Sequence, residues 1–137
     1  MRIGIVQVAG NEDVCNLLEK EFEKEISTLE VRRARIPTID SAPLASRLLL
    51  EDNNCDIAVI PYKLGDDEKL GLEFNLGISL AEFWVKKQIF KVIIYPDENP
   101  EDIIKDAVNE IIQYYFRTEP KPKEESGGNA NPFGFLG

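Results

Sequence analysis

The chain has 137 residues, 43% hydrophobic and 30% charged, and this composition predicts a single packed domain rather than a disordered or fibrous chain. A formal net charge of -9, from 16 Lys and Arg against 25 Asp and Glu, argues against nucleic acid or a membrane as a partner and favours a cytoplasmic protein. Histidine is absent, which excludes Ser-His-Asp and Cys-His catalysis and any histidine-ligated metal site, and Cys15 and Cys55 are too few for a disulfide framework.

The first half of the chain predicts two strands, each followed by a helix. Residues 2–9 are a short apolar run that ends in a Gly-Asn turn, as buried strands often do. Asn11 is the predicted N-cap of a first helix, whose apolar positions follow helical spacing: Val14, Leu17, Leu18, Phe22 and Ile26. Residues 29–36 predict a second strand. The second helix begins near Asp40 or Ser41 and has an apolar stripe of Leu44, Leu48 and Leu49.

The second half repeats this alternation. Residues 56–61 predict a third strand, and the polar segment 63–69 that follows predicts a loop. A third helix is expected over about 70–87, with a buried face of Phe74, Ile78, Ala81 and Val85. Residues 90–95 predict the fourth strand, and Pro100 opens the last helix.

The order βαβαβαβα with nearly continuous apolar strands predicts a parallel sheet covered on both faces. Because crossovers are right-handed, we expect a flavodoxin-like three-layer α/β sandwich, with a four-stranded sheet of order 2-1-3-4 and helices on both faces. The composition changes after Glu119. We therefore expect one domain over residues 1–119 and a tail over 120–137 that is either a flexible terminus or a segment that docks on a neighbouring subunit.

In open α/β sheets, ligands bind at the carboxyl ends of the strands, which here are followed by segments 9–13, 37–41, 62–69 and 96–99. None of these segments contains the glycine pattern of a dinucleotide site or a P-loop. The third strand ends in Pro61-Tyr62 where a phosphoacceptor Asp would be required. The sequence therefore favours neither a nucleotide site nor a receiver domain.

Several charged residues near these ends are candidates for chemistry. Glu73 is a candidate general acid or base, although a first-turn acid also suits the helix dipole. Lys63 is a candidate catalytic cation, and Lys69 shares its loop. The acids Asp66, Asp67 and Glu68 are more typical of a solvated turn than of a metal site, and we predict no metal. The strand arginines Arg32, Arg33 and Arg35 are candidates for phosphate binding or for protecting a sheet edge.

Three segments, in this order and spacing, resemble a known family: Pro37-Thr38-Ile39-Asp40-Ser41-Ala42-Pro43-Leu44-Ala45, Cys55-Asp56-Ile57-Ala58-Val59-Ile60 and Glu73-Phe74-Asn75-Leu76-Gly77-Ile78. Residues 2–119 resemble the lumazine synthase and archaeal-type riboflavin synthase superfamily, and the archaeal-type riboflavin synthase branch more closely. The chain departs from the family at two places. Leu72 stands near the position of a histidine that many members carry, and none of Val8, Ala9 and Gly10 supplies the aromatic residue often found after the first strand.

The resemblance implies a cofactor-free enzyme with a lumazine (pteridine) substrate, in a homopentamer whose sites lie between subunits. An archaeal-type riboflavin synthase converts two molecules of 6,7-dimethyl-8-ribityllumazine into riboflavin and a ribityl-aminouracil. By position, Thr38, Ile39 and Asp40 would hold the ribityl chain and pyrimidine edge, while Pro61, Tyr62 and Lys63 would face the heterocycle.

Two other functions stay open: a 6,7-dimethyl-8-ribityllumazine synthase, and a ligand-binding or assembly protein without catalysis. Self-association is also expected from apolar residues beyond those a four-stranded domain requires: Val85, Phe90, Phe116, Phe133 and Phe135. In the tail, Phe133, Phe135 and Leu136 are the groups expected to dock on a neighbour.

Overall fold

A computed structural model describes residues 1–116 of the chain. Four parallel strands form one sheet: β1 (Arg2–Val8), β2 (Glu30–Ile36), β3 (Ile57–Lys63) and β4 (Gln88–Ile94). The connecting helices are α1 (Glu12–Glu25), α2 (Ala42–Glu51), α3 (Leu72–Val85) and α4 (Pro100–Tyr115), with a 3-10 turn over Ile39–Ser41 before α2. The strand order is β2-β1-β3-β4, which confirms the predicted flavodoxin-like α/β fold.

Two apolar cores lie on opposite faces of the sheet, because successive strand residues point to opposite sides. On one face, α1 and α4 cover Ile3, Ile5, Ile57 and Val59. On the other face, α2 and α3 cover Val6, Val8, Ala58 and Ile60. The central strands β1 and β3 are therefore buried on both sides, which explains their nearly continuous apolar sequences.

The prediction of which α2 residues are buried was partly wrong. Leu49 is buried as expected, but Leu44 and Leu48 are 61% and 46% exposed. The buried face instead contains smaller residues as well as leucine: Ala42, Ala45, Ser46, Leu49 and Leu50. The leucines of α2 lie on two faces of the helix, so their spacing alone does not identify the buried face. The face that packs against the sheet is the one that also carries the small alanines.

Arg33 ties the edge strand β2 to α1. Its guanidinium donates to Gln7 Oε1 at 2.7 Å, to Asn16 Oδ1 at 2.9 Å and to Glu19 Oε1 at 2.8 Å. Because the N–H groups of Arg33 already bind three acceptors, a structural role at the sheet edge is favoured over phosphate binding.

Both cysteines are buried in the core, as predicted. Burial raises the pKa of the Cys15 thiol to about 11 and also raises the pKa of Cys55. Within residues 1–116, no helix is both long and apolar enough to cross a membrane. The predicted boundary after Glu119 and the predicted docking of Phe133, Phe135 and Leu136 lie outside the described residues.

Gly4 allows α2 to approach β1 closely. A Cβ atom added at Gly4 would lie 2.9 Å from Leu49 Cβ and 3.2 Å from Cys55 Sγ. Leu49 Cβ is attached directly to the helix backbone, so a side-chain rotation cannot relieve the clash. This position requires glycine because of the close contact.

We predict that Gly4→Ala destabilises the protein by about 1–3 kcal/mol, the usual cost of overpacking a core. Urea unfolding monitored by circular dichroism measures the difference. Gly71→Ala is the matched control, because a Cβ atom there meets nothing within 4 Å. Equal midpoints for the two variants would show that α2 adjusts without cost.

Candidate functional site

The carboxyl edge of the sheet opens between β1 and β3, where the strand order reverses. The β1–β3 pairing ends at Ile5 and Val59, whereas β3 stays paired with β4 as far as Lys63 and Ile94. In doubly wound folds, such a switch point is where ligands bind. Tyr62 and Lys63 were predicted as loop residues, but both belong to the extended end of β3.

Pro61 is tolerated inside β3 because of this opening. The N–H of Lys63, two residues later, points towards the β1 side and donates to Asn11 Oδ1 at 2.8 Å. By strand alternation, the nitrogen of Pro61 points to the same side, where the β1 ladder has already ended. The missing N–H of the proline therefore removes no hydrogen bond from the sheet.

Asn11 is the N-cap residue of α1, as predicted, but its side chain makes no capping hydrogen bond. The side chain instead links the ends of β1 and β3. In addition to accepting from Lys63, the amide donates to Ala9 O at 3.4 Å, and the residue is 5% exposed. Asn11 therefore replaces the backbone pairing that β1 and β3 no longer make.

Strand alternation places Lys63 and Tyr62, two predicted site residues, on opposite faces of the sheet. Lys63 points towards α1, and its ammonium lies 2.9 Å from the carboxylate of Asp13. The hydrogen bond from Lys63 holds the pKa of Asp13 below its usual value. Tyr62 packs against the core under α2 and α3. The structure therefore does not bring Lys63 and Tyr62 into one constellation.

Tyr62 and Glu68 join β3 to the loop that follows it. The Tyr62 hydroxyl donates to Glu68 Oε2 at 2.5 Å, and the Gly65 N–H donates to Glu68 Oε1 at 2.7 Å. The Glu68 N–H donates to Gly65 O at 3.1 Å, closing a tight turn in which Asp67 has a φ of 60°. Burial, together with the charge of Glu68, raises the pKa of Tyr62 to about 12.

A cleft of about 1140 Å³ lies between this loop and β4. Its walls combine charged, amide and apolar side chains, among them Lys69, Leu70, Asn75, Lys91, Ile93 and Tyr95. Lys91 Nζ donates to Asn75 Oδ1 at 3.1 Å across the cleft wall. An ammonium group has three donors, so Lys91 can also bind an electronegative atom of a ligand.

This cleft is not lined by any of the predicted site residues: Thr38, Ile39, Asp40, Pro61, Tyr62, Lys63 and Glu73. Asp40, in the segment after β2, makes a small contribution to the raised pKa of Tyr62. Thr38 and Asp40 are exposed, whereas the side chain of Ile39 is buried in the core beneath α2. Of these three, only Thr38 and Asp40 can present side chains to a ligand.

Glu73 lies on the exposed side of α3, in its first turn. Its carboxylate makes no hydrogen bond or ion pair with any residue between 1 and 116. The same side of α3 carries a continuous apolar row, which we call the α3 stripe: Leu72, Leu76, Leu80, Phe83 and Trp84, each between 54% and 81% exposed. The helical spacing of these residues places Glu73 beside the stripe rather than beside Tyr62.

Part of the residue set predicted to drive self-association is internal. Phe90 is 4% exposed and meets Tyr114 edge to face, with ring centroids 6.0 Å apart. Trp84 is 63% exposed, and the guanidinium of Arg47 lies 4.8 Å from its ring centroid. The exposed apolar surface of α3 therefore consists of other residues, and more of them, than the sequence predicted for self-association.

Within residues 1–116, no group of three or more His, Cys, Asp or Glu side chains is arranged to hold a metal ion. The three adjacent acids of the β3–α3 loop diverge: Asp66 and Asp67 are exposed, whereas Glu68 is half-buried and hydrogen-bonded. The interpretation as a solvated turn therefore fits Asp66 and Asp67 but misses Glu68.

No family model matches the chain. Three curated proteins that are each named riboflavin synthase are similar to it. The protein from Archaeoglobus fulgidus is 25% identical over 105 residues, which cover 74% of this chain and 69% of that protein. The protein from Methanothermobacter marburgensis is 23% identical over 120 residues, covering 79% and 78%. The protein from Methanothermobacter thermautotrophicus is 25% identical over 88 residues, covering 61% and 58%. These similarities support the predicted resemblance to riboflavin synthases.

We predict that Asn11→Ala destabilises the protein by about 1–3 kcal/mol, because the partly buried Lys63 N–H loses its acceptor. Chemical unfolding measures the change. Asn109→Ala is the control, since Asn109 is exposed on α4 and its side chain makes no hydrogen bond with residues 1–116. A loss no larger than that of the control would mean that water replaces the Asn11 amide without cost.

Proposed function

We propose that the protein is a riboflavin synthase of the archaeal type, which converts two molecules of 6,7-dimethyl-8-ribityllumazine into riboflavin and a ribityl-aminouracil. The observation that carries this proposal is the cleft at the carboxyl edge, which is lined by Glu68, the hydrogen-bond partner of Tyr62. It is bordered by the β3–α3 loop and the start of α3, within the part of the chain that resembles riboflavin synthases.

The size of the cleft suits a reaction between two bound molecules. Sites for a single small ligand commonly have volumes of ~300–1,000 Å³, and this cleft, at about 1140 Å³, lies just above that range. One substrate donates a four-carbon unit and leaves as the ribityl-aminouracil, while the other accepts the unit and becomes riboflavin. The two products contain all the atoms of the two substrates, so no oxidant, reductant or cofactor is required.

The residues along the edge would bind and orient the substrates. Asp40 and Tyr62 offer oxygen atoms to ribityl hydroxyls, and Lys91 and Asn75 offer donors to the carbonyl oxygens of the ring. Holding two reactants in the correct geometry can supply ~7–11 kcal/mol of the barrier, so this reaction does not require a histidine.

The proposal predicts that the purified protein produces riboflavin fluorescence when incubated with 6,7-dimethyl-8-ribityllumazine alone. Quenching of lumazine fluorescence measures binding in the same experiment. Binding without riboflavin formation would favour the ligand-binding alternative. Formation of lumazine from a ribityl-aminouracil and a four-carbon sugar phosphate would favour the lumazine synthase alternative. Neither binding nor turnover of lumazine would contradict the riboflavin synthase proposal.

We further propose that copies of the chain associate through the α3 stripe, as the homopentamer implied by the resemblance. Five large apolar side chains on one helix face leave more exposed apolar surface than a monomer usually carries. The stripe begins at Leu72, next to the β3–α3 loop. A neighbouring copy seated on the stripe would therefore reach Glu73 and the mouth of the cleft, which fits sites shared between subunits.

Phe83→Asp is predicted to convert the assembly to lighter species in sedimentation velocity at micromolar concentration. Phe83 is 75% exposed, so the substitution removes an apolar contact between copies without disturbing the interior. Asn109→Asp, an equally acidic change on α4 at the other face of the sheet, is expected to leave the assembly intact. A monomeric unsubstituted protein would contradict the proposed assembly.

A further inference from the structure

Glu68 has no role in the sequence-based site, yet it makes the most organised contacts at the carboxyl edge. Both carboxylate oxygens accept hydrogen bonds, one from the Gly65 backbone and one from the Tyr62 hydroxyl. Glu68 is half-buried, whereas its neighbours Asp66 and Asp67 are exposed. The side chain of Glu68 therefore spans the base of the loop that forms one wall of the cleft.

The hydrogen bond to Glu68 fixes what Tyr62 can offer to a ligand. A tyrosine hydroxyl has one proton to donate, and Tyr62 donates it to Glu68 Oε2 at 2.5 Å. Towards any other molecule, the Tyr62 oxygen can then only accept. Asp40, the other charged group that acts on Tyr62, also carries acceptor oxygens alone when it is ionised.

We infer that Glu68, which lines the cleft, is a positioning residue that holds the partly exposed Tyr62 hydroxyl as an acceptor. The carboxyl end of β3 beside the cleft then selects a ligand presenting an O–H or N–H donor. The inference rests on the proposed function, because it assigns the ligand group that meets Tyr62. In the proposed substrate, two groups have the required chemistry: the hydroxyls of the ribityl chain and the N–H of the pyrimidine ring.

Glu68→Gln separates the polarity of this hydrogen bond from its structural role. The glutamine carbonyl can still accept from the Gly65 N–H, which keeps the turn closed. Its NH₂ group can donate to the Tyr62 oxygen. This hydrogen bond then occupies the oxygen lone pair that would accept from the ligand, and it leaves the hydroxyl proton free. Glu68→Ala removes both contacts, and Tyr62→Phe removes the hydroxyl itself.

The test measures binding of 6,7-dimethyl-8-ribityllumazine and of 6,7,8-trimethyllumazine by fluorescence quenching, together with amide hydrogen exchange at Gly65. We expect Glu68→Gln and Tyr62→Phe each to weaken binding of the ribityl compound about tenfold, the loss of about one hydrogen bond. Combining the two substitutions should add little further loss, since both act through one oxygen. Gly65 exchange should stay slow in Glu68→Gln and become fast in Glu68→Ala.

The two lumazines identify the donor. If Tyr62 accepts from a ribityl hydroxyl, Tyr62→Phe weakens only the ribityl compound, and if it accepts from the ring N–H, both compounds weaken. Asp97→Asn is the control, because Asp97 lies at the same edge and makes no described contact, and it should bind like the unsubstituted protein.

Three outcomes would overturn the inference, and they are distinguishable. Unchanged affinity in Glu68→Gln and Tyr62→Phe, with tight binding by the unsubstituted protein, would overturn the role of Glu68 alone. Fully additive losses in the double variant would overturn the coupling through Tyr62. Absence of lumazine binding by the unsubstituted protein would instead overturn the proposed function, and the role of Glu68 with it.

Discussion

The geometry of the carboxyl edge of the sheet depends on one feature of the backbone. Strand β3 continues for several residues beyond its pairing with β1. On its other side, β4 supports the extended end, and across the opening the Lys63 N–H donates to the Asn11 side chain. Because the end of β3 remains a strand, its side chains alternate. Tyr62 is therefore placed over the α2 and α3 side with Glu68, and Lys63 is placed over α1 with Asp13.

Two surfaces meet at this edge, and the start of α3 is common to both. The β3–α3 loop forms a wall of the cleft, and the α3 stripe begins at the next element of the chain. The chain carries a net charge of -9, so an anionic group at this edge would have to be held by local cations such as Lys91. A shared edge and stripe would link assembly and ligand binding, since a neighbour on the stripe would border the cleft.

Most of the fold could be predicted from the sequence, because apolar runs and helical spacing report burial directly. The site was less predictable, since its key contacts join residues far apart in the chain. Asn11 looks like an ordinary N-cap, and only the fold shows that its amide reaches Lys63. Pro61 suggested a strand end, because a proline is compatible with a strand interior only where a neighbouring ladder has stopped. Glu68 was read as part of a solvated turn, and no local pattern distinguishes it from Asp66 and Asp67. The outward face of α3 was missed because the helix is apolar on both sides.

A crystal structure of the protein with 6,7-dimethyl-8-ribityllumazine tests most directly the claim that the carboxyl edge is the ligand site. We expect the ring system in the cleft between the β3–α3 loop and β4, with a ligand O–H or N–H within hydrogen-bond distance of the Tyr62 oxygen and Glu68 still bound to Tyr62. A ligand bound at the amino edge of the sheet, or on the α1 and α4 face beside Lys63, would contradict it.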